Sequence, residues 1–295
     1  MPALAALSLR MTAWRRALVA VSIGLAACAS AAQQRVSVPS SDVHGGDALA
    51  LPAHWFPVDA PEPAPAWVLL HGCGGPYGRN GELSQRMREY AAWFNALGHH
   101  ALVLDSLSAR GERELCTQRS GQRRVTQRER RTDALAALRW LAAQSGVDAS
   151  RLGLIGWSHG GSAVLAATNL AYREVAAATV KPALAVAFYP GCAAEERRGY
   201  RPAMPLLLLL GGADDWTPAA PCERMATRST APRPDVEVYP DAHHGFDGTA
   251  ALRRRDDVPN GAQPGQGVHV GGQPQARAAS RERLLRFVQA VLPAR

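Results

Sequence analysis

Gly156-Trp157-Ser158-His159-Gly160-Gly161 is the stretch from which the rest of the chain is read. Ahead of it lies Arg151-Leu152-Gly153-Leu154-Ile155, a short apolar run that reads as a buried strand. Behind it lies Ser162-Ala163-Val164-Leu165-Ala166-Ala167, which favours helix. A serine with glycine two positions before and two after, at a strand-to-helix turn, is the nucleophile-elbow pattern. The spacing has a steric cause: the serine sits in a strained backbone conformation, and only glycine lets strand and helix pass so closely. The turn lifts the hydroxyl above the sheet and aims N–H groups at the helix start towards any oxyanion formed beside it. Ser158 is the candidate nucleophile.

A chain of 295 residues is long enough for one large α/β domain. No Gly/Ser-rich or Pro-rich linker splits its middle, so residues 32–295 read as a single domain. The formal charge is +8, but three of the surplus positive charges, Arg10, Arg15 and Arg16, lie in a leader without acidic residues. Arginine carries nearly all the rest, spread along the chain, with Lys181 the only lysine. No nucleic-acid motif accompanies it, so no nucleic-acid partner is expected.

Residues 1–31 have the layout of a signal peptide: basic residues, an apolar run from Ala17 to Ala27 too short to span a membrane stably, then small residues. Two processing routes compete. Leu25-Ala26-Ala27-Cys28 resembles a bacterial lipobox, which would make Cys28 a lipidated first residue; Ala29-Ser30-Ala31 offers an ordinary small-x-small cleavage site. Either route predicts an exported protein, periplasmic or lipid-anchored in the envelope, with membrane attachment through an N-terminal lipid only. Export leaves Cys73, Cys116, Cys192 and Cys222 in an oxidising compartment. No C-x-x-C or Cys/His ligand spacing points to a metal, so disulfides or free thiols are the choices.

Taken in order, Ala48–Leu51 and His54–Val58 read as the two strands of an opening hairpin. Ala66-Trp67-Val68-Leu69-Leu70 is a buried strand running into His71-Gly72-Cys73-Gly74-Gly75. A Gly-rich loop directly after a strand leaves backbone N–H groups free to face a ligand. The N–H of Cys73 is thus the expected first half of an oxyanion hole, and the N–H of His159 the second. Glu82 to Leu97 has helical apolar spacing and ends at Gly98, and His100–Leu104 is the next strand. Arg110, in the loop beyond, reads either as a substrate contact or, in preference, as the partner of a carboxylate. Gln122–Arg131 holds five arginines and reads as the solvated first turns of an amphipathic helix ending near Gly146.

Ala183–Phe188, Met204–Leu210 and Val236–Tyr239 complete the strands. Continuous apolar strands separated by helices indicate a parallel sheet covered on both faces. Cys192 and Cys222 follow neighbouring strand ends, so Cys192–Cys222 is the first pairing to expect and Cys73–Cys116 its complement. A serine nucleophile needs a base and an orienting carboxylate. Asp214 and Asp215 compete for the acid after one strand, on the rim where ligands bind in open α/β sheets, and His243 and His244 compete for the base after the last. Residues 252–275 form a Gly-rich loop beyond the base, readable as a cover over the site or as a surface insertion before the closing helix.

Jointly, His71-Gly72-Cys73-Gly74-Gly75, Gly156-Trp157-Ser158-His159-Gly160-Gly161, Gly212-Ala213-Asp214 with Pro218, and His244-Gly245-Phe246 resemble the dienelactone hydrolase family of α/β-hydrolases, in the right order and from residue 64 to the C-terminal helix. The resemblance implies the α/β-hydrolase fold, with a mostly parallel central sheet of about eight strands and helices on both faces. The family's acid stands four residues before a proline, which selects Asp214; its base directly precedes Gly-Phe, which selects His244. Asp215, His243, Asp241 and Asp247 then become loop polar groups. The founding members use a cysteine nucleophile where this chain has Ser158, which moves the expected substrate from a lactone towards carboxylic esters in general. The implied protein is a serine hydrolase acting on a small-molecule ester or lactone without metal or organic cofactor. A peptidase or acyltransferase on the same fold, and a non-catalytic envelope lipoprotein, are the alternatives.

Overall fold

The computed structural model describes residues 33–44 and 46–293. One sheet contains β1 (Gln34–His44), β2 (Asp47–Phe56), β3 (Ala64–Leu70), β4 (His100–Leu104), β5 (Val147–Trp157), β6 (Leu184–Phe188), β7 (Leu206–Gly211) and β8 (Asp235–Tyr239), in the spatial order 1-2-4-3-5-6-7-8. From β4 across to β8 every neighbouring pair is parallel, and β2 and β1 add antiparallel at one edge. The helices are α1 (Gln85–Ala96), α2 (Gln127–Ala142), α3 (His159–Thr168), α4 (Arg173–Ala176), α5 (Ala193–Arg198), α6 (Ala220–Arg228) and α7 (Pro274–Val291). A small hairpin of β9 (Arg253–Arg255) and β10 (Val268–Val270) stands outside the sheet. This is the mostly parallel, two-faced architecture that the apolar runs predict.

The core is split by the sheet, and β3 shows how. Side chains alternate faces along a strand, so Ala66, Val68 and Leu70 enter the layer under α2, α3 and α6, while Trp67 and Leu69 enter the layer under α1 and α7. Side chains on both faces are buried, which is why these strands read as unbroken apolar runs. Small residues on α2 and α3 (Ala134, Ala137, Ala163, Ala167) let those helices lie close to the sheet and to each other.

Two sequence expectations need correction. Ala48–Leu51 and His54–Val58 are not partners in a hairpin; their residues up to Phe56 belong to the single strand β2, whose partner is β1. Pro52, which reads as punctuation, stays in the strand because its fixed φ suits extended backbone and its carbonyl accepts the Asp105 N–H at 2.9 Å. The arginine run is not a solvated helix start. Helix α2 begins only at Gln127, where Thr126 and Glu129 form a capping box. Arg130, on the same face as Ala134, Ala137 and Leu141, is fully buried, and Arg131 is nearly so. Arg110 pairs with Asp133 at 2.8 Å and Asp42 at 2.7 Å, tying the end of β1 to α2.

Disulfides join Cys73 to Cys116 and Cys192 to Cys222. The first ties the loop after β3 to the loop after β4; the second ties the start of α5 to α6. Cys28 and the leader lie outside the described residues.

Candidate active site

The β5–α3 turn is as sharp as its glycines require. Ser158 has φ 55° and ψ −119°, a region that side chains rarely occupy. A Cβ on Gly156 would lie 2.3 Å from the Gly160 carbonyl oxygen, and one on Gly160 would lie 2.0 Å from that of Leu70. The strain is held from both sides: Ser158 N–H donates to Phe188 O on β6 at 2.9 Å, and Ser162 N–H donates to Ser158 O at 2.9 Å.

Ser158 Oγ is 2.8 Å from His244 Nε2, and His244 Nδ1 is 2.8 Å from Asp214 Oδ2. A carboxylate only accepts, so Nδ1 carries the proton and Nε2 is left to accept the Ser158 hydroxyl. Asp214 stands in the loop after β7, where its other oxygen, Oδ1, accepts the N–H groups of Trp216 and Thr217, each at 2.8 Å. Thr217 Oγ1 adds a second neighbour to the imidazole, 3.1 Å from Nδ1, while donating to Tyr189 O at 2.9 Å. The rings of Tyr189 and Trp216 each lie with centroids 4.6 Å from that of His244.

The residues assigned to the loops divide. Asp215 turns away and binds His269, accepting its N–H at 2.8 Å and meeting Nδ1 at 2.7 Å. The His243 ring lies tilted beside that of His269, centroids 5.5 Å apart, and Asp241 is exposed. Asp247 lies in the loop after His244, but it is not a surface group. It is buried, takes the Tyr189 hydroxyl at 2.6 Å and receives Arg86 through Nε at 3.1 Å and Nη2 at 3.0 Å. Burial works against the Arg86 charge, but Asp247 outweighs it and pushes the guanidinium pKa up. Burial pushes the Tyr189 phenol well up, so it stays protonated as the donor. Nothing in the spacing betrays this cluster, since Arg86 and Asp247 are far apart in the chain. Thr217 was legible in principle: it lies directly before Pro218 in the acid's own loop.

The hairpin of β9 and β10 is a cover. Gly271 N–H donates to His244 O at 3.0 Å, and Val270 bridges to His244 as a parallel strand would. Arg253, Arg255 and Val270 line a cavity of about 360 Å³ that also contains Gly72, Cys73, Ser158 and His244. A second cavity of about 500 Å³ meets the first at Cys73, Ser158 and Trp216 and is lined by Arg123, Gln127, Arg197 and Asn260. The loop carrying Cys73 is fixed covalently and by Leu115 N–H, which donates to Cys73 O at 2.7 Å. His159 begins α3, where the first N–H groups have no intrahelical partner.

The dienelactone hydrolase family model matches residues 53–292. No curated protein matches the chain. Among solved structures, a protein assigned as a dienelactone hydrolase from Klebsiella pneumoniae superposes with a TM-score of 0.61 at 17% identity, covering 87% of this chain and 98% of that one. The acetyl xylan esterase from Paenibacillus sp. R4 gives 0.57 at 16% identity, covering 88% and 89%. A puromycin-hydrolyzing peptidase from Mycobacterium tuberculosis gives 0.60 at 18%, covering 89% of this chain and 40% of that one. At these identities the likeness to solved structures is one of fold. The family match spans most of the chain, and on it the protein is a hydrolase belonging to the dienelactone hydrolase family.

Proposed function

We propose that the protein is an exported serine hydrolase that cleaves carboxylic esters or lactones through an acyl-enzyme. One observation carries the reading: a strained serine at the end of β5 in an unbroken hydrogen-bonded line with an imidazole and a buried carboxylate, each link 2.8 Å. His244 takes the Ser158 proton as Oγ attacks the carbonyl carbon, then returns it to the departing alkoxide. Asp214 holds the tautomer and stabilises the imidazolium. The N–H groups of Cys73 and His159 receive the oxyanion, each such donor being worth about 3–4 kcal/mol. A water, activated by the same imidazole, releases the acyl group. Two disulfides favour an oxidising compartment, in keeping with export by the leader, whether the protein is then free in the periplasm or anchored through a lipid on Cys28. Among the described residues no helix is long and apolar enough to cross a membrane.

The test is hydrolysis of short p-nitrophenyl esters by the purified protein beside Ser158→Ala and His244→Ala. Turnover by the parent and losses of roughly 10⁴-fold or more in both variants are expected. A parent inert to these esters and to a serine-directed phosphonate would leave Ser158 without an activated role. Cleavage of amides, or transfer of the acyl group to an added alcohol in preference to water, would move the reading to a peptidase or an acyltransferase.

A further inference from the structure

Behind the nucleophile lies a buried cation that the acid–base line does not use. Arg130 has no exposed surface, and among the described residues no carboxylate stands within ion-pair distance of it. Asp133, one turn on, is taken by Arg110. The Arg130 Nε finds no acceptor. Its two other bonds go to the two segments that carry the proposed oxyanion donors. Nη2 donates to His71 O at 2.8 Å, on the loop after β3, and Nη1 donates to His159 Nδ1 at 3.2 Å, at the start of α3. A desolvated guanidinium without a contacting counter-ion is costly; burial lowers its pKa to about 10, outweighing the more distant charges of Asp133 and Asp105, which raise it.

The bonds around it fix two tautomers. Ser106 N–H donates to His71 Nε2 at 3.3 Å, so Nε2 accepts and the ring proton is on Nδ1. That proton goes to Gly72 O at 2.7 Å, the carbonyl of the peptide whose N–H is Cys73's. A hydrogen bond to a peptide carbonyl polarises the unit and strengthens its N–H as a donor. Arginine only donates, so His159 Nδ1 accepts as well. Both rings are held neutral by burial first and by the Arg130 charge next, His71 being lowered to about 3.

We propose that Arg130 is the positioning residue of the oxyanion hole: it clamps the His71–Cys73 loop to the first turn of α3 and sets a fixed positive charge behind both donor peptides. The proposal rests on the serine-hydrolase reading and goes beyond it. An interaction of this kind strengthens as the carbonyl oxygen becomes negative, so it acts on kcat and leaves substrate binding nearly unchanged.

The experiment compares Arg130→Met and Arg130→Lys with the parent, per folded molecule by near-UV circular dichroism. It reads kcat, KM and the inhibition constant of benzeneboronic acid, which adds to a serine as a tetrahedral anion. Expected for Arg130→Met is a fall in kcat of about 10- to 100-fold with KM within threefold, and a parallel weakening of the boronate. Arg130→Lys, which restores the charge, is expected to recover at least tenfold of a hundredfold loss. Should Arg130→Met not accumulate folded, Arg130→Gln removes the charge while keeping an amide donor, and is read by the same quantities. A folded Met or Gln variant with kcat and boronate affinity within threefold of the parent, or with its loss confined to KM, overturns the proposal alone. A parent without turnover overturns the reading beneath it.

Discussion

Thr217 shares one hydroxyl among three neighbours, and its chemistry decides how. Its single proton faces two acceptors, Tyr189 O at 2.9 Å and Asp214 Oδ2 at 3.1 Å, leaving a lone pair 3.1 Å from the His244 Nδ1 whose proton already serves Asp214. The imidazole is thus aimed by two acceptors. Asp214→Asn removes the stronger and favours the wrong tautomer; kcat is expected to fall about 10⁴-fold. Thr217→Val keeps the shape and removes the weaker, and about a tenfold loss in kcat is expected, as for one neutral hydrogen bond. A Thr217→Val enzyme indistinguishable from the parent would show that Asp214 alone orients the ring. Asp247 sits further from the reacting atoms but deeper. Asp247→Ala strands Arg86 and the Tyr189 hydroxyl, and denaturant titration is expected to show a loss of about 3–5 kcal/mol.

At the scale of elements, α1 and α7 are joined across their faces by Glu89, which receives Arg277 and Arg281, each at 2.7 Å. Burial alone would raise the Glu89 pKa, but the bonds from Gln85 and the two arginines win and lower it. A depressed carboxylate stabilises above its unfolded pKa and loses that contribution as pH falls through the folded value. Glu89→Gln should therefore cost about 0.5–1 kcal/mol at pH 7 and less at pH 3, since the pair is partly solvated. Equal melting shifts at both pH values would refute the clamp. These elements were readable to different depths. The strands, α1 and the elbow follow from local apolar period and from glycine. Asp214 and His244 follow from their places after strand ends together with the family motifs. Arg86, Asp247 and the His269–Asp215 link did not follow, because each joins chain segments far apart and obeys no local period. Arg130 lay in plain view on the apolar face of α2, but a cluster of like charges reads as solvent-facing unless the helix phase is followed through it.

For the molecule as a whole, acid is the expected weakness. His71 and His99 are buried and kept neutral, their pKa values lowered to about 3 and about 4, in both cases chiefly by burial. Below pH 6.5 the unfolded chain binds protons that the folded protein refuses, so stability falls as pH falls, until the folded values are reached. Two such groups lower the unfolding free energy by roughly 4 kcal/mol between pH 7.5 and 5. Urea titrations at the two pH values measure it; a flat result would mean that neither ring is kept neutral. Reduction is a second weakness. The crosslinks span 43 and 30 residues, and each is worth about 4 kcal/mol in the chain-entropy account.

The Cys73–Cys116 bond has a further consequence, for when the molecule becomes itself. Cys73 supplies a proposed donor to the reaction and, through its sulfur, half of a crosslink whose other half stands in the same cavity. A newly made chain with both thiols reduced carries every residue of the site but not the tie that seats this one. With export and ester hydrolysis as proposed above, esters inside the cell that makes the protein would then meet an unfinished catalyst, and those beyond it a finished one. Oxidation would serve as the last step of manufacture, and the compartment that forms the bond would license the chemistry.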